Sequence, residues 1–128
     1  MIVAADYVGK KNVVLIFYPA DDTPGCIKQL CAARDALKDY EERDTAIIGV
    51  NPASRQNHEA FAQKYNLSFP IIEDTGGGIR KAYDVNRILG LVAQQRIVYI
   101  IDKSWKIAFA GKGNRSTQEL LDALDRLR

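Results

Sequence analysis

The chain has 128 residues and a mass of 14.3 kDa, which suits one domain with a core of its own. Lys and Arg number 18 against 16 Asp and Glu, and the net charge of +2 favours neither a nucleic-acid nor an anionic-membrane partner. A hydrophobic fraction of 47% with 27% charged residues excludes a disordered chain.

The first half of the chain alternates predicted strands and helices. A continuous apolar run over residues 12–18 predicts a buried strand. Apolar residues at helical spacing predict a helix over about 26–42, and a second buried strand follows at 45–50. Ser54 is typical of a helix N-cap, for a helix that ends near residue 65.

The second half predicts a short apolar piece at 69–72, a short helix near 79–83 and a hairpin of strands at 97–101 and 106–110. A capping box at Ser116 opens a last helix, with Leu120, Leu121, Leu124 and Leu127 facing inward. This order favours an α/β fold, a thioredoxin-like α/β/α sandwich with a central mixed sheet flanked by helices. We expect one domain over residues 1–128, without a secretory signal and located in the cytoplasm.

Cys26 is the first candidate for chemistry. It follows a buried strand and a turn and stands in the first turn of a helix, where unpaired N–H groups and the helix dipole favour a thiolate, the nucleophilic form of cysteine. Thr23 offers a hydroxyl in the same turn, while Pro19 and Pro24 stiffen it and shield a small pocket. The alternative is a buried structural cysteine, and the surrounding turn favours the reactive interpretation.

Cys31 lies five residues after Cys26, which is neither the C-x-x-C spacing of disulfide-exchange enzymes nor part of a zinc-site pattern. Five residues along a regular helix separate two Cα atoms by about 8.7 Å. A disulfide needs a separation of no more than about 7 Å. A bond between the two cysteines would therefore require the start of the helix to unwind.

Residues 18–26 resemble the active-site segment of peroxiredoxins, with its P-x-x-x-T-x-x-C pattern at Pro19, Thr23 and Cys26. Residues 31–35 are similar to the bacterioferritin-comigratory-protein, or peroxiredoxin Q, subfamily, in which a resolving cysteine lies five residues after the peroxidatic one. The similarity continues at 49–51, 58–61, 69–70 and 96–102, and so covers most of the chain.

This resemblance implies a peroxidase. Cys26 would attack the peroxide, Thr23 would polarise it, and Arg96 would stabilise the thiolate and the leaving oxygen. Pro19 would limit solvent access, and Cys31 would resolve the Cys26 sulfenic acid as an intramolecular disulfide. The implied partners are hydrogen peroxide or an organic hydroperoxide and a dithiol reductant such as thioredoxin, with no metal or organic cofactor. We expect a monomer or a weak homodimer.

The chain departs from the family pattern at four places. Gln29 stands where the subfamily usually has Glu, and Ala33 where Phe is common. Trp105 occupies a hairpin position usually held by Gly, which is costly if that position requires a positive φ. The short N-terminal strand segment usual in the family is missing, an absence that could favour self-association.

The remaining polar residues have simpler interpretations. We interpret His58, the only histidine, as a surface or packing residue, and Asp21 and Asp22 as solvated turn residues. Arg34 and Asp35 either support the active-site helix or form a surface ion pair. Two other functions stay open, a general thiol–disulfide oxidoreductase and a non-catalytic binding domain on the same fold.

Overall fold

A five-stranded mixed sheet forms the centre of the computed structural model, which describes Tyr7 and residues 9–21, 24–74, 78–79, 96–113 and 115–127. In chain order the described elements are β1 (Asn12–Phe17), α1 (Pro24–Asp35), α2 (Leu37–Glu41), β2 (Thr45–Asn51), α3 (Arg55–Tyr65), β3 (Ile71–Glu73), β4 (Ile97–Ile101), β5 (Ile107–Lys112) and α4 (Thr117–Asp125). This sheet with its flanking helices confirms the expected thioredoxin-like α/β architecture.

The strand order in the sheet is β3-β2-β1-β4-β5. β1 pairs in parallel with β2, and β2 with β3, because α1 and α2 cross back between the first pair and α3 between the second. β4 is antiparallel to both β1 and β5. The mixed sheet and the β4–β5 hairpin are as the sequence predicts.

The core lies on both faces of the sheet because successive side chains of each buried strand point to opposite sides. On one face, Val14, Ile16 and Tyr18 pack against buried side chains from all four described helices. On the other face, Val13, Leu15 and Phe17 join residues of β2 and β4 in a second cluster. β1 is therefore buried on both sides, which explains its uninterrupted run of apolar residues.

Several element boundaries differ from the prediction: β3 covers Ile71–Glu73 and not 69–72, and β1, β2 and the start of α1 shift by one or two residues. The predicted helix over 26–42 is two helices, because Ala36 leaves the helical region with φ −98° and ψ 7°. β5 begins and ends later than the predicted 106–110. Leu127 does not face inward: α4 ends at Asp125, and Leu127 is 40% exposed. Of the short helix expected over 79–83, only Ile79 lies within the described residues.

The strand register brings three chain segments to one edge of the sheet. Phe17, at the end of β1, pairs with Val50 near the end of β2 and with Ile97 at the start of β4. The segments after β1 and β2 and the segment before β4 therefore meet there. In the described part of the chain, none of the helices has the length and apolar character that crossing a bilayer would need.

Candidate active site

Cys26 is the third residue of α1. It lies at the end of the sheet where the segments after β1 and β2 meet the segment before β4. Cys26 is completely buried and belongs to the core cluster that also contains Tyr18 and Leu30. The thiol is free and belongs to the first turn of α1, where backbone N–H groups have no partner within the helix. The predicted position of Cys26 in a first helical turn is thus confirmed.

Arg96 reaches Cys26 from the residue before β4. Its Nη2 donates to the Cys26 sulfur at 3.3 Å, and its Nη1 donates to Oε1 of Gln29 at 2.5 Å. Gln29 is itself buried, one helical turn after Cys26. Arg96 and Cys26, 70 positions apart in the sequence, are therefore in direct contact. The neutral amide of Gln29 holds the guanidinium in place without adding a negative charge beside the sulfur.

Gly25 makes room for this contact. A Cβ atom at this position would lie 3.0 Å from Nη2 of Arg96 and 3.8 Å from its Cζ. Any other residue would press on the guanidinium that contacts Cys26. Glycine at position 25 thus serves the close approach of a side chain and not a special backbone conformation, since its φ is not in the left-handed region.

Pro19 is held in place by Asn51, a buried residue at the end of β2. The Nδ2 of Asn51 donates to the carbonyl oxygens of Tyr18 at 2.8 Å and Pro19 at 3.1 Å. Its Oδ1 accepts from the N–H of Ala53 at 2.8 Å. Asn51 thus fixes the backbone that leads from β1 towards Cys26. A polar residue ending a buried strand was the one signal in the sequence for this role.

Cys31 lies in the same continuous helix as Cys26 and is half-buried and free. Because both cysteines belong to α1, the helical separation of about 8.7 Å between their Cα atoms applies. The last turn of α1 is tied down by Arg34, whose Nη1 donates to the carbonyl oxygen of Tyr65 at 2.6 Å. Arg34 also pairs with Asp35 at 2.8 Å, so it is both a surface ion pair and a support of α1.

Thr23, the other candidate of the turn, lies outside the described residues, so its hydroxyl stays a prediction. Ala33 is buried in the core cluster. Trp105 has φ +60°, which confirms that its turn position requires a positive φ.

Asp21 is not a solvated turn residue, contrary to the prediction. Its side chain is 11% exposed; Oδ1 accepts from the Tyr18 hydroxyl at 2.6 Å, and Oδ2 lies 2.7 Å from Nδ1 of His58. His58 is buried, which confirms a packing position, but it is bonded at both ring nitrogens, since Nε2 lies 3.1 Å from the carbonyl oxygen of Asn51. Burial, and then the hydrogen bond to Asp21, raise the pKa of Tyr18 above its ordinary range.

Comparison with known proteins gives consistent matches. The AhpC/TSA family matches residues 2–110. "Peroxiredoxin Q, chloroplastic" of Triticum aestivum is 40% identical over 99 residues, which is 77% of this chain and 46% of that protein. The protein of the same description from Sedum lineare is 40% identical over 94 residues, 73% of this chain and 50% of that one. The chain thus spans about half the length of these curated relatives.

Among solved structures, the crystal structure of peroxidoxin BcpB from Mycobacterium tuberculosis is similar with a TM-score of 0.88 and 28% identity. The similarity covers 97% of this chain and 84% of that one. The fold and the sequence comparisons therefore agree.

Proposed function

The chain belongs to the AhpC/TSA family, and from that premise we propose that it is a thiol-dependent peroxidase for hydrogen peroxide and organic hydroperoxides. The observation that carries the proposal is the contact between Arg96 Nη2 and Cys26 Sγ at 3.3 Å, inside the first turn of α1. A guanidinium there stabilises a thiolate before the reaction and negative charge on oxygen during it.

In the first step the Cys26 thiolate attacks the terminal oxygen of the hydroperoxide. A sulfur–oxygen bond forms and the oxygen–oxygen bond breaks, so that Cys26 is oxidised to a sulfenic acid. The peroxide is reduced by two electrons, and its other oxygen leaves as water or an alcohol after taking up a proton. Thr23 and backbone N–H groups orient the peroxide, and Pro19 limits access of water.

In the second step the Cys31 thiol condenses with the sulfenic acid, releasing water and forming the Cys26–Cys31 disulfide. Because α1 is continuous from Pro24 to Asp35, the helix has to unwind first. We place the unwinding in the first turn, since the last turn is held to Tyr65 by Arg34. Oxidation of Cys26 also removes the negative charge that paired with Arg96.

An external dithiol, of which thioredoxin is the type, then returns two electrons and two protons to the disulfide. The complete burial of Cys26 favours a small peroxide over a protein disulfide as its first reaction partner, because a protein disulfide needs an exposed sulfur. The curated relatives are named chloroplastic, and the cytoplasmic location of this chain, like its monomeric or weakly dimeric state, stays a prediction.

One equivalent of hydrogen peroxide added to the reduced protein tests this function. We expect rapid loss of peroxide and an intact mass lower by two hydrogens. Cys26→Ser should abolish peroxide consumption, while the matched variant Cys31→Ser should keep the first step and accumulate sulfenic or sulfinic acid at Cys26. Consumption that is unchanged in Cys26→Ser would refute the proposal. An intact helix in the disulfide form, seen by circular dichroism and hydrogen exchange, would refute the unwinding step.

A further inference from the structure

His58 and Asp21 form a buried pair next to the segment that leads from β1 to Cys26. The two side chains are 3% and 11% exposed, and Nδ1 of His58 lies 2.7 Å from Oδ2 of Asp21. The other carboxylate oxygen accepts from Tyr18 at 2.6 Å. This pair joins α3 to the turn after β1, over 37 positions of sequence.

The contacts of His58 require a proton on both ring nitrogens. Nδ1 faces a carboxylate oxygen and Nε2 faces the carbonyl oxygen of Asn51 at 3.1 Å, and both of these groups are acceptors. The Asn51 carbonyl is an acceptor only, and it also accepts from the N–H of Asp74 at 3.0 Å. A neutral imidazole would direct a lone pair at one of the two oxygens, whereas an imidazolium satisfies both.

The charged groups around His58 favour the imidazolium. Burial alone lowers the pKa of His58, but the hydrogen bond and negative charge of Asp21, the Asn51 carbonyl and the charge of Glu73 on β3 together raise it above its ordinary value. On α3 itself, Arg55 and Glu59 are exposed and pair with each other at 3.0 Å. Tyr18, on the far side of Asp21, has a raised pKa and stays a neutral donor.

We propose that His58 is a positioning residue for the reaction at Cys26, holding the Tyr18–Asp21 segment in place through its imidazolium and loosening it on deprotonation. This inference rests on the proposed peroxidase. The segment is pinned at Tyr18 and Pro19 by Asn51 and at Asp21 by His58. Beyond Asp21 the chain leads within five residues to Cys26, so the placement of the peroxide-binding turn depends on these anchors.

The role predicts a rate of Cys26 oxidation that depends on the protonation of His58. Deprotonation of His58 lowers this rate at higher pH, because the neutral ring loses its positive charge beside Asp21 and turns a lone pair towards one of its two acceptors. The ratio of the wild-type rate to the rate of His58→Gln should therefore fall from about tenfold to about one as the pH passes the pKa of His58.

A direct titration is possible because the chain has one histidine. NMR of imidazole-labelled protein should show the ring protonated at both nitrogens near neutral pH, with a pKa above the ordinary value of about 6.5. Asp21→Asn should lower this pKa, because it removes the charge and the carboxylate hydrogen bond that raise it. The control Glu59→Gln, an exposed change on the same helix, should leave both the pKa and the rate profile unchanged.

The two measurements are compared on the same pH axis. A rate ratio whose midpoint agrees with the NMR pKa supports the proposal, and a ratio independent of pH overturns it. If His58→Gln does not fold, the pH profile of the wild-type rate is used alone. The wild-type rate must then fall with rising pH with a midpoint at the NMR pKa of His58, and the absence of this fall overturns the proposal. A pKa at or below 6.5 with peroxide consumption intact refutes the role of His58 alone, whereas a wild-type protein that consumes no peroxide refutes the peroxidase itself.

Discussion

Gly25→Ala should slow the reaction of Cys26 while making the protein more stable. The new Cβ would lie 3.0 Å from Nη2 of Arg96, whereas ordinary van der Waals contact begins at 3.4 Å. The guanidinium must therefore retreat by about 0.4 Å. Along the direction to the sulfur, this lengthens the 3.3 Å contact with Cys26 to about 3.7 Å.

The effect on rate follows from this displacement. At an effective dielectric constant of about 20, the attraction between the two charges falls from about 5 to about 4.5 kcal/mol. Loss of hydrogen-bond alignment adds up to about 1 kcal/mol. We therefore expect Cys26 to be oxidised about threefold to tenfold more slowly. The free energy of unfolding should rise by up to about 1 kcal/mol, because Ala is a better helix former than Gly.

The assay follows a single oxidation of Cys26 in the Cys31→Ser background, with acid quenching and intact-mass detection of the sulfenic acid. Gly78→Ala is the matched control, because nothing lies within 4 Å of a Cβ at that position. In an Arg96→Gln background the Gly25→Ala change should have no further effect on rate. If Gly25→Ala slows oxidation equally with and without Arg96, or does not slow it at all, the reasoning is refuted. Urea titration measures the change in the free energy of unfolding.

Three further predictions concern stability. The raised pKa of His58 means that its stabilisation is present in full below about pH 6.5 and is lost as the pH rises through the folded-state pKa; urea titrations across pH should show this loss, and His58→Gln should be flat. Trp105→Gly should raise the free energy of unfolding by about 1 kcal/mol, because it relieves a φ of +60° while keeping the N–H bond to Asp102; a decrease would show that indole packing outweighs the strain. Ser116→Ala should lower it by about 1 kcal/mol, since the Ser116 Oγ accepts from the N–H of Glu119 at 3.1 Å; an unchanged urea midpoint would contradict this.

The sequence predicts the strands of the sheet well because their signal is local. β1 is buried on both faces and therefore shows a continuous apolar run, and β2 and β4 share this pattern. The break at Ala36 has no such signal, since the apolar spacing continues through Leu37 and Tyr40 while only the dihedral angles of one residue change. Leu127 continues the apolar spacing of α4 in the same way, although the helix has already ended.

The site is predicted in part. Cys26 stands out by its place after a strand and before a helix, and Arg96 through the resemblance to a family. The Asp21–His58 pair could not be predicted, because its partners lie 37 positions apart and neither has an unusual neighbour in the sequence. The sequence shows Asn51 only as a polar residue that ends a buried strand, because its bonds to Tyr18 and Pro19 exist only in the folded sheet.

The strained turn at Trp105 has an optical consequence. β4 begins next to Arg96, which contacts the Cys26 sulfur, and ends next to this turn. The extended chain from residue 96 to residue 102 spans about 20 Å, so Trp105 and Arg96 lie beyond opposite ends of one strand. Trp105 is the only tryptophan of the protein and is 36% exposed. Its fluorescence should change when the hairpin opens or the protein unfolds, but should not change on oxidation of Cys26. The unfolding curves of the reduced and disulfide forms can therefore be compared from the same native fluorescence.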